Sequence, residues 1–158
     1  MTDQDHFLLQ RVQPAMVGLI DGSLSTLAPI FSVAIVSHKP LYAFAAGLAT
    51  SIGAAISMAF SEGLSDTGEL TGRGNPALRG SITGGGTFLG GILHTLPFLW
   101  NDYHGALVTA AVVVGFELVA LAWIRYRFFG TSFVKSLGLV SAAGLVIALV
   151  GALVGAGV

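Results

Sequence analysis

Residues 40–63 read PLYAFAAGLATSIGAAISMAFSEG, and no charged side chain occurs in them before Glu62. About 20 mostly apolar residues are enough to cross a bilayer as a helix. Pro40 suits the first turn of such a helix. The stretch does not alternate polar and apolar residues, as a membrane β-strand must. Four further stretches have the same character, at 14–37, 78–100, 105–124 and 136–158. The expected fold is all-α, an integral membrane bundle of five transmembrane helices. It forms one membrane domain over residues 1–158, with no soluble domain.

The composition agrees. Apolar residues make up 54% of the chain and charged residues 9%, against about 25% charged in soluble domains. The mean hydropathy is +0.83. So few charges cannot solvate a globular surface, which excludes an ordinary soluble enzyme. A net charge of −1 gives no bulk attraction for nucleic acid. The absence of cysteine removes disulfides, thiolate metal sites, iron–sulfur clusters and a cysteine nucleophile. The 22 glycines are about twice the usual share and favour close helix packing.

Lys and Arg fix the expected orientation. Arg11, Arg73, Arg79, Arg125, Arg127 and Lys135 fall on one side of the five spans, and Lys39 alone falls on the other. The N-terminus is therefore expected in the cytoplasm and the C-terminus outside. Asp3 and Asp5 stand where a secretory signal would carry basic residues, so the first span reads as an uncleaved anchor.

Ionisable groups at membrane depth are costly and call for a functional or pairing reason. Here they are Asp21, Glu62, Asp66, Glu69, His94 and Glu117. Counting ~1.5 Å per residue from the expected inner edge puts Asp21, Met58 and Glu117 in one layer, roughly 8–10 Å deep. Met58, Glu62, Asp66 and Glu69 are spaced 4, 4 and 3, which places them on one face of a helix. Carboxylates so close repel, and a bound cation would relieve them. The thioether favours a transition metal over Mg²⁺ or Ca²⁺. His94, toward the outer side of span three, fits a packing role or a proton-exit or metal-release position. Rows of small residues at Gly53, Ser57, Ser61 and Ser65, at Gly84 to Gly86, Gly90 and Gly91, and at Gly144, Ala148, Ala152 and Ala156 mark faces for helix contact.

Two regions carry a family resemblance. Span one contains Gly18-Leu19-Ile20-Asp21-Gly22-Ser23-Leu24-Ser25-Thr26, and span two ends Ser57-Met58-Ala59-Phe60-Ser61-Glu62. Together with Leu96-Pro97-Phe98 after a Gly-rich third span, they resemble the vacuolar iron transporter family. The nearest likeness is to the membrane domain of its bacterial ferritin-fused branch, the membrane-bound ferritins. The resemblance implies a homodimer whose first and second helices line a central path. It implies proton-coupled export of Fe²⁺ and/or Mn²⁺ from the cytoplasm, across a bacterial inner membrane, by a secondary transporter rather than an enzyme. The metal is then cargo, and no permanently bound cofactor is expected. By the same resemblance Asp21 and Met58 take the metal inside the membrane, Glu62 is the carboxylate nearer the cytoplasm, and Glu117 is a further ligand. Relatives collect metal with a helical bundle after span two or a di-iron domain before span one. Here the first position holds a short loop, Gly68 to Pro76, and thirteen residues precede span one. Glu62, Asp66 and Glu69 are then expected to collect the ion, or a soluble ferritin-like partner to deliver it. Two other readings are a non-transporting anchor or sensor for a soluble iron-storage partner, and a passive cation channel.

Overall fold

The computed structural model describes residues 2–158, and all regular structure among them is helical. Thr2 and Asp5 cap the first helix, α1 (Asp3–Phe7), reciprocally: the Thr2 hydroxyl accepts from the Asp5 N–H at 3.2 Å, and the Asp5 carboxylate accepts from the Thr2 N–H at 2.7 Å. A π-helical turn (Leu8–Val12) leads into α2 (Gln13–Ser25), with Pro14 in its first turn. The helix breaks at Thr26 and resumes as α3 (Leu27–Ser37). Pro29 accounts for the break, since it has no N–H for the Ser25 carbonyl one turn back. His38 then turns into the left-handed region at φ 53°, and Pro40 opens α4 (Pro40–Ser65).

Gly68, Gly72 and Gly74 all have positive φ in the next loop, which runs to the Asn75 cap of α5 (Pro76–Leu93). A short 3₁₀ turn (Leu96–Leu99) follows. Asp102 caps α6 (Tyr103–Phe129), Gly130 ends it at φ 63°, and Ser132 caps α7 (Phe133–Ala156).

Four helical runs are long and apolar enough to cross a membrane: Asp3–Ser37, Pro40–Ser65, Tyr103–Phe129 and Phe133–Ala156. The expected third span, 78–100, is not a continuous helix. Its helical part, α5, has 18 residues and so reaches only ~27 Å, short of the ~30 Å hydrocarbon layer. Pro97 cannot donate to the Leu93 carbonyl, so the α-helix stops there.

What α5 loses in length it gains in burial. Gly86 and Gly90 face α2, where a Cβ on Gly90 would lie 2.6 Å from the Leu19 carbonyl oxygen. Gly18 and Gly22 of α2 press back against the Thr83 and Thr87 carbonyls. Gly80 and Gly84 face α4, where a Cβ on Gly84 would lie 2.7 Å from the Ala55 carbonyl oxygen. The short helix is thus held backbone to backbone between α2 and α4, as small residues permit. Gly151 and Gly155 bring α7 equally close to Ala28 and Ser32 of α3. Ile30, Ala34, Ala43, Phe98, Ala106 and Ala110 close the end of the bundle away from the glycine loop. One row finds no neighbour: Ala45, Ala49, Gly53, Ser57 and Ser61 of α4 are exposed, and no atom lies within 4 Å of a Cβ built on Gly53.

Candidate functional site

Asp21 and Met58 line one open groove of about 450 Å³, together with Val17, Ile20, Leu24, Ser25 and Ile147. Asp21 and Ser25 are one turn apart on α2, and Met58 approaches from α4. Antiparallel helices in glycine contact with the same α5 bring the two side chains into one groove. The Ser25 hydroxyl is buried and has no hydrogen-bond partner. One chain supplies this groove with one carboxylate and one thioether. Among the described residues, no three His, Asp or Glu side chains are clustered so that they could hold a metal ion.

The carboxylates at the end of α4 are arranged differently from the expected stripe. The helix ends at Ser65, Asp66 is its extended C-cap, and Glu69 stands exposed in the loop. Only Met58 and Glu62 therefore share a helical face, because the glycine loop begins one turn too early for the others. Nor are Glu62 and Asp66 left to repel each other. Arg79 Nε donates to Glu62 Oε1 at 3.0 Å, and its Nη1 to Asp66 Oδ1 at 3.3 Å. Arg73 Nη2 donates to Glu62 Oε1 at 2.6 Å, and its Nη1 to Asp66 Oδ2 at 3.2 Å. Arg79 is fully buried, at 0% exposure, while Arg73 keeps 21%. Partial burial works against the charge on Asp66, but hydrogen bonds from Thr71, Gly68 and Arg79, with the Arg79 charge, outweigh it and hold its pKa below the usual carboxylate value. The stabilisation this contributes is present above that usual value and is lost as pH falls through the lowered one. Gln10 adds a tie to the same loop, donating to the Gly72 carbonyl at 3.1 Å.

A third constellation joins three elements in the interior. The Thr26 hydroxyl lies 2.7 Å from His94 Nε2, and His94 Nδ1 lies 3.0 Å from Glu117 Oε2. Thr26 also donates to the Gly22 carbonyl at 2.9 Å. All three side chains are buried. His94, the C-cap of α5, thereby meets α6 and the break between α2 and α3. The Glu117 carboxylate is engaged here, and it is absent from the lining of the Asp21–Met58 groove.

No family model, curated protein or solved structure matches this chain.

Two partnerships escaped the reading of the sequence. In the sequence Arg73 and Arg79 signal only orientation, although a carboxylate at the end of one helix and an arginine at the start of the next face each other across a short hairpin. His94 and Glu117, 23 residues apart, carry no local signal of their contact. The available signal was that buried ionisable groups on successive antiparallel helices satisfy one another.

Proposed function

We propose that the chain is a proton-coupled exporter of a divalent transition metal, Fe²⁺ and/or Mn²⁺, acting as a homodimer in a bilayer. The observation that carries this is the shared groove of Asp21 and Met58. A carboxylate in a wall of apolar side chains is costly without a counter-charge. A thioether beside it is a poor donor for hard ions and a useful one for transition metals. Two donors from one chain are too few to replace a hydration shell. A second copy related by a two-fold axis would double them. The exposed row Ala45, Ala49, Gly53, Ser57 and Ser61 runs along α4 beside Met58 and would let two α4 helices approach closely.

In this reading metal arrives from the side bearing Glu69, Glu62 and Asp66. Arg73, on a loop with three left-handed glycines, gives way to the incoming cation, while buried Arg79 stays. The ion sheds part of its water and passes to Asp21 and Met58 of both chains. Glu117 is left out of the donor set because His94 holds it. The distribution of Lys and Arg supports a cytoplasmic N-terminus, and the motif resemblance supports a bacterial inner membrane. A soluble ferritin-like partner that delivers iron is compatible with the exposed position of Glu69.

The test uses proteoliposomes containing only this chain, loaded with a metal-sensitive dye and, in parallel, a pH-sensitive one. Mn²⁺ is expected to move down an imposed pH gradient with protons moving the opposite way. Absence of metal movement would point to the anchor or sensor role, and movement without proton counterflow to a channel. Either result would refute the exchanger.

A further inference from the structure

We propose that the groove between α2 and the turn joining α6 to α7 seats one anionic phospholipid, its phosphate on Arg125 and an acyl chain along Val17 and Ile20. The seat rests on the chain lying in a bilayer and not on its moving metal.

The groove measures about 230 Å³, and its walls are of two kinds. Met16, Val17, Ile20 and Phe129 supply hydrocarbon. Thr131 supplies a hydroxyl, and Arg125 is the one charged side chain in the lining. Arg125 is half-buried and fixed by the start of α7. Its Nε donates to the Ser136 hydroxyl at 3.2 Å, and that hydroxyl lies 3.1 Å from Thr131 Oγ1. Ser136 is itself buried. Among the described residues no carboxylate pairs with Arg125, since the ion pairs engage Arg73, Arg79 and His94. Its two Nη nitrogens have no protein acceptor there either. A guanidinium tied through Nε and open at both Nη atoms is a fork that takes a phosphate through two parallel hydrogen bonds.

The charge pattern selects the head group. Residues 118–158 contain Arg125, Arg127 and Lys135 and no Asp or Glu, so this part of the chain offers no counter-charge of its own. A basic pocket between helices attracts an anionic head group and disfavours the cation of a zwitterionic one. Arg127 is exposed and shares a separate groove with Asp3, which leaves Arg125 as the anchor. In the expected orientation this end of the bundle meets the cytoplasmic leaflet, where anionic lipids lie.

The walls select a tail. A small soluble anion would leave the apolar side bare, with Val17 40% exposed. An acyl chain covers it. Val17 and Ile20 also line the Asp21–Met58 groove, so the apolar track continues along α2 toward Leu24. Met16 to Leu24 spans ~12 Å at 1.5 Å per residue, most of the ~15 Å hydrocarbon depth of one leaflet.

The experiment is native mass spectrometry of the full chain, with dioleoylphosphatidylglycerol and dioleoylphosphatidylcholine supplied together at equal concentration. One phosphatidylglycerol per chain is expected to be retained, with a preference of about 10-fold over phosphatidylcholine. Arg125→Gln should lower that retention about 10-fold, and Arg127→Gln no more than about 2-fold. Val17→Trp fills the groove and keeps every charge. It should also expel the lipid, so the seat can be judged even where Arg125→Gln fails to fold. Equal losses in the two arginine variants would mean a diffuse attraction and overturn the seat. Displacement of the lipid by soluble glycerol 3-phosphate at equal concentration would give Arg125 to a free phosphate and refute the tail. A Val17→Trp chain that keeps its lipid but falls from dimer to monomer would give the groove to a second copy. Retention is read without metal or a pH gradient, so a protein that exports nothing can still show the seat, and one that exports can lack it.

Discussion

Asp21→Asn is expected to bring metal efflux from proteoliposomes down to the level of empty vesicles, while the protein becomes no less stable. The substitution keeps shape and removes charge. Loss of a partner in the outer shell of a metal site already costs about 10–100-fold in affinity. If Asp21 is the proposed anionic donor, its loss from both chains of the proposed dimer belongs at or beyond the upper end of that range. Stability should move the other way or not at all, because a partly buried carboxylate is removed from an apolar groove. Efflux and thermal unfolding measured on one preparation separate this from misfolding, which would lower both. Full transport by Asp21→Asn would remove the carboxylate from the mechanism.

Arg79→Met is expected to have the largest effect on stability, a loss of about 3–5 kcal/mol, as when one partner is taken from a buried ion pair. Arg79 is fully buried and reaches both Glu62 and Asp66, so its removal leaves two carboxylates sharing Arg73. Arg73→Gln should cost only about 1 kcal/mol, since that side chain is partly in water. Adding Glu62→Gln and Asp66→Asn to Arg79→Met should recover most of the loss. Thermal or denaturant unfolding of the three variants decides the matter. Equal, small effects at Arg79 and Arg73 would mean that the network is solvated and holds nothing shut.

The contrast between the two sites explains what the sequence disclosed. Asp21 and Met58 were legible because their meeting depends only on helix rise and on antiparallel neighbours, both set by the apolar runs. The four long helices were legible for the same reason. The fate of Asp66 and Glu69 was not, because it turns on where α4 stops, and a helix end at Ser65 rather than a turn later is decided by the glycines of the following loop. The third helix was placed but overextended. Its glycines make a good packing element and a poor span, and Pro97 ends it early. The Thr26–His94–Glu117 trio joins residues from three separate elements. Side-chain partnership across elements, unlike depth along one helix, has no periodic signature.

In the proposed exporter the sulfur of Met58 and the carboxylate of Asp21 hold the transported ion together. X-ray absorption at the iron edge, on purified protein loaded with Fe²⁺ under reducing conditions, reads the ion's immediate neighbours. A sulfur neighbour in the wild type that disappears in Met58→Leu is the predicted result. A shell of oxygen and nitrogen alone, identical in the two proteins, would contradict it.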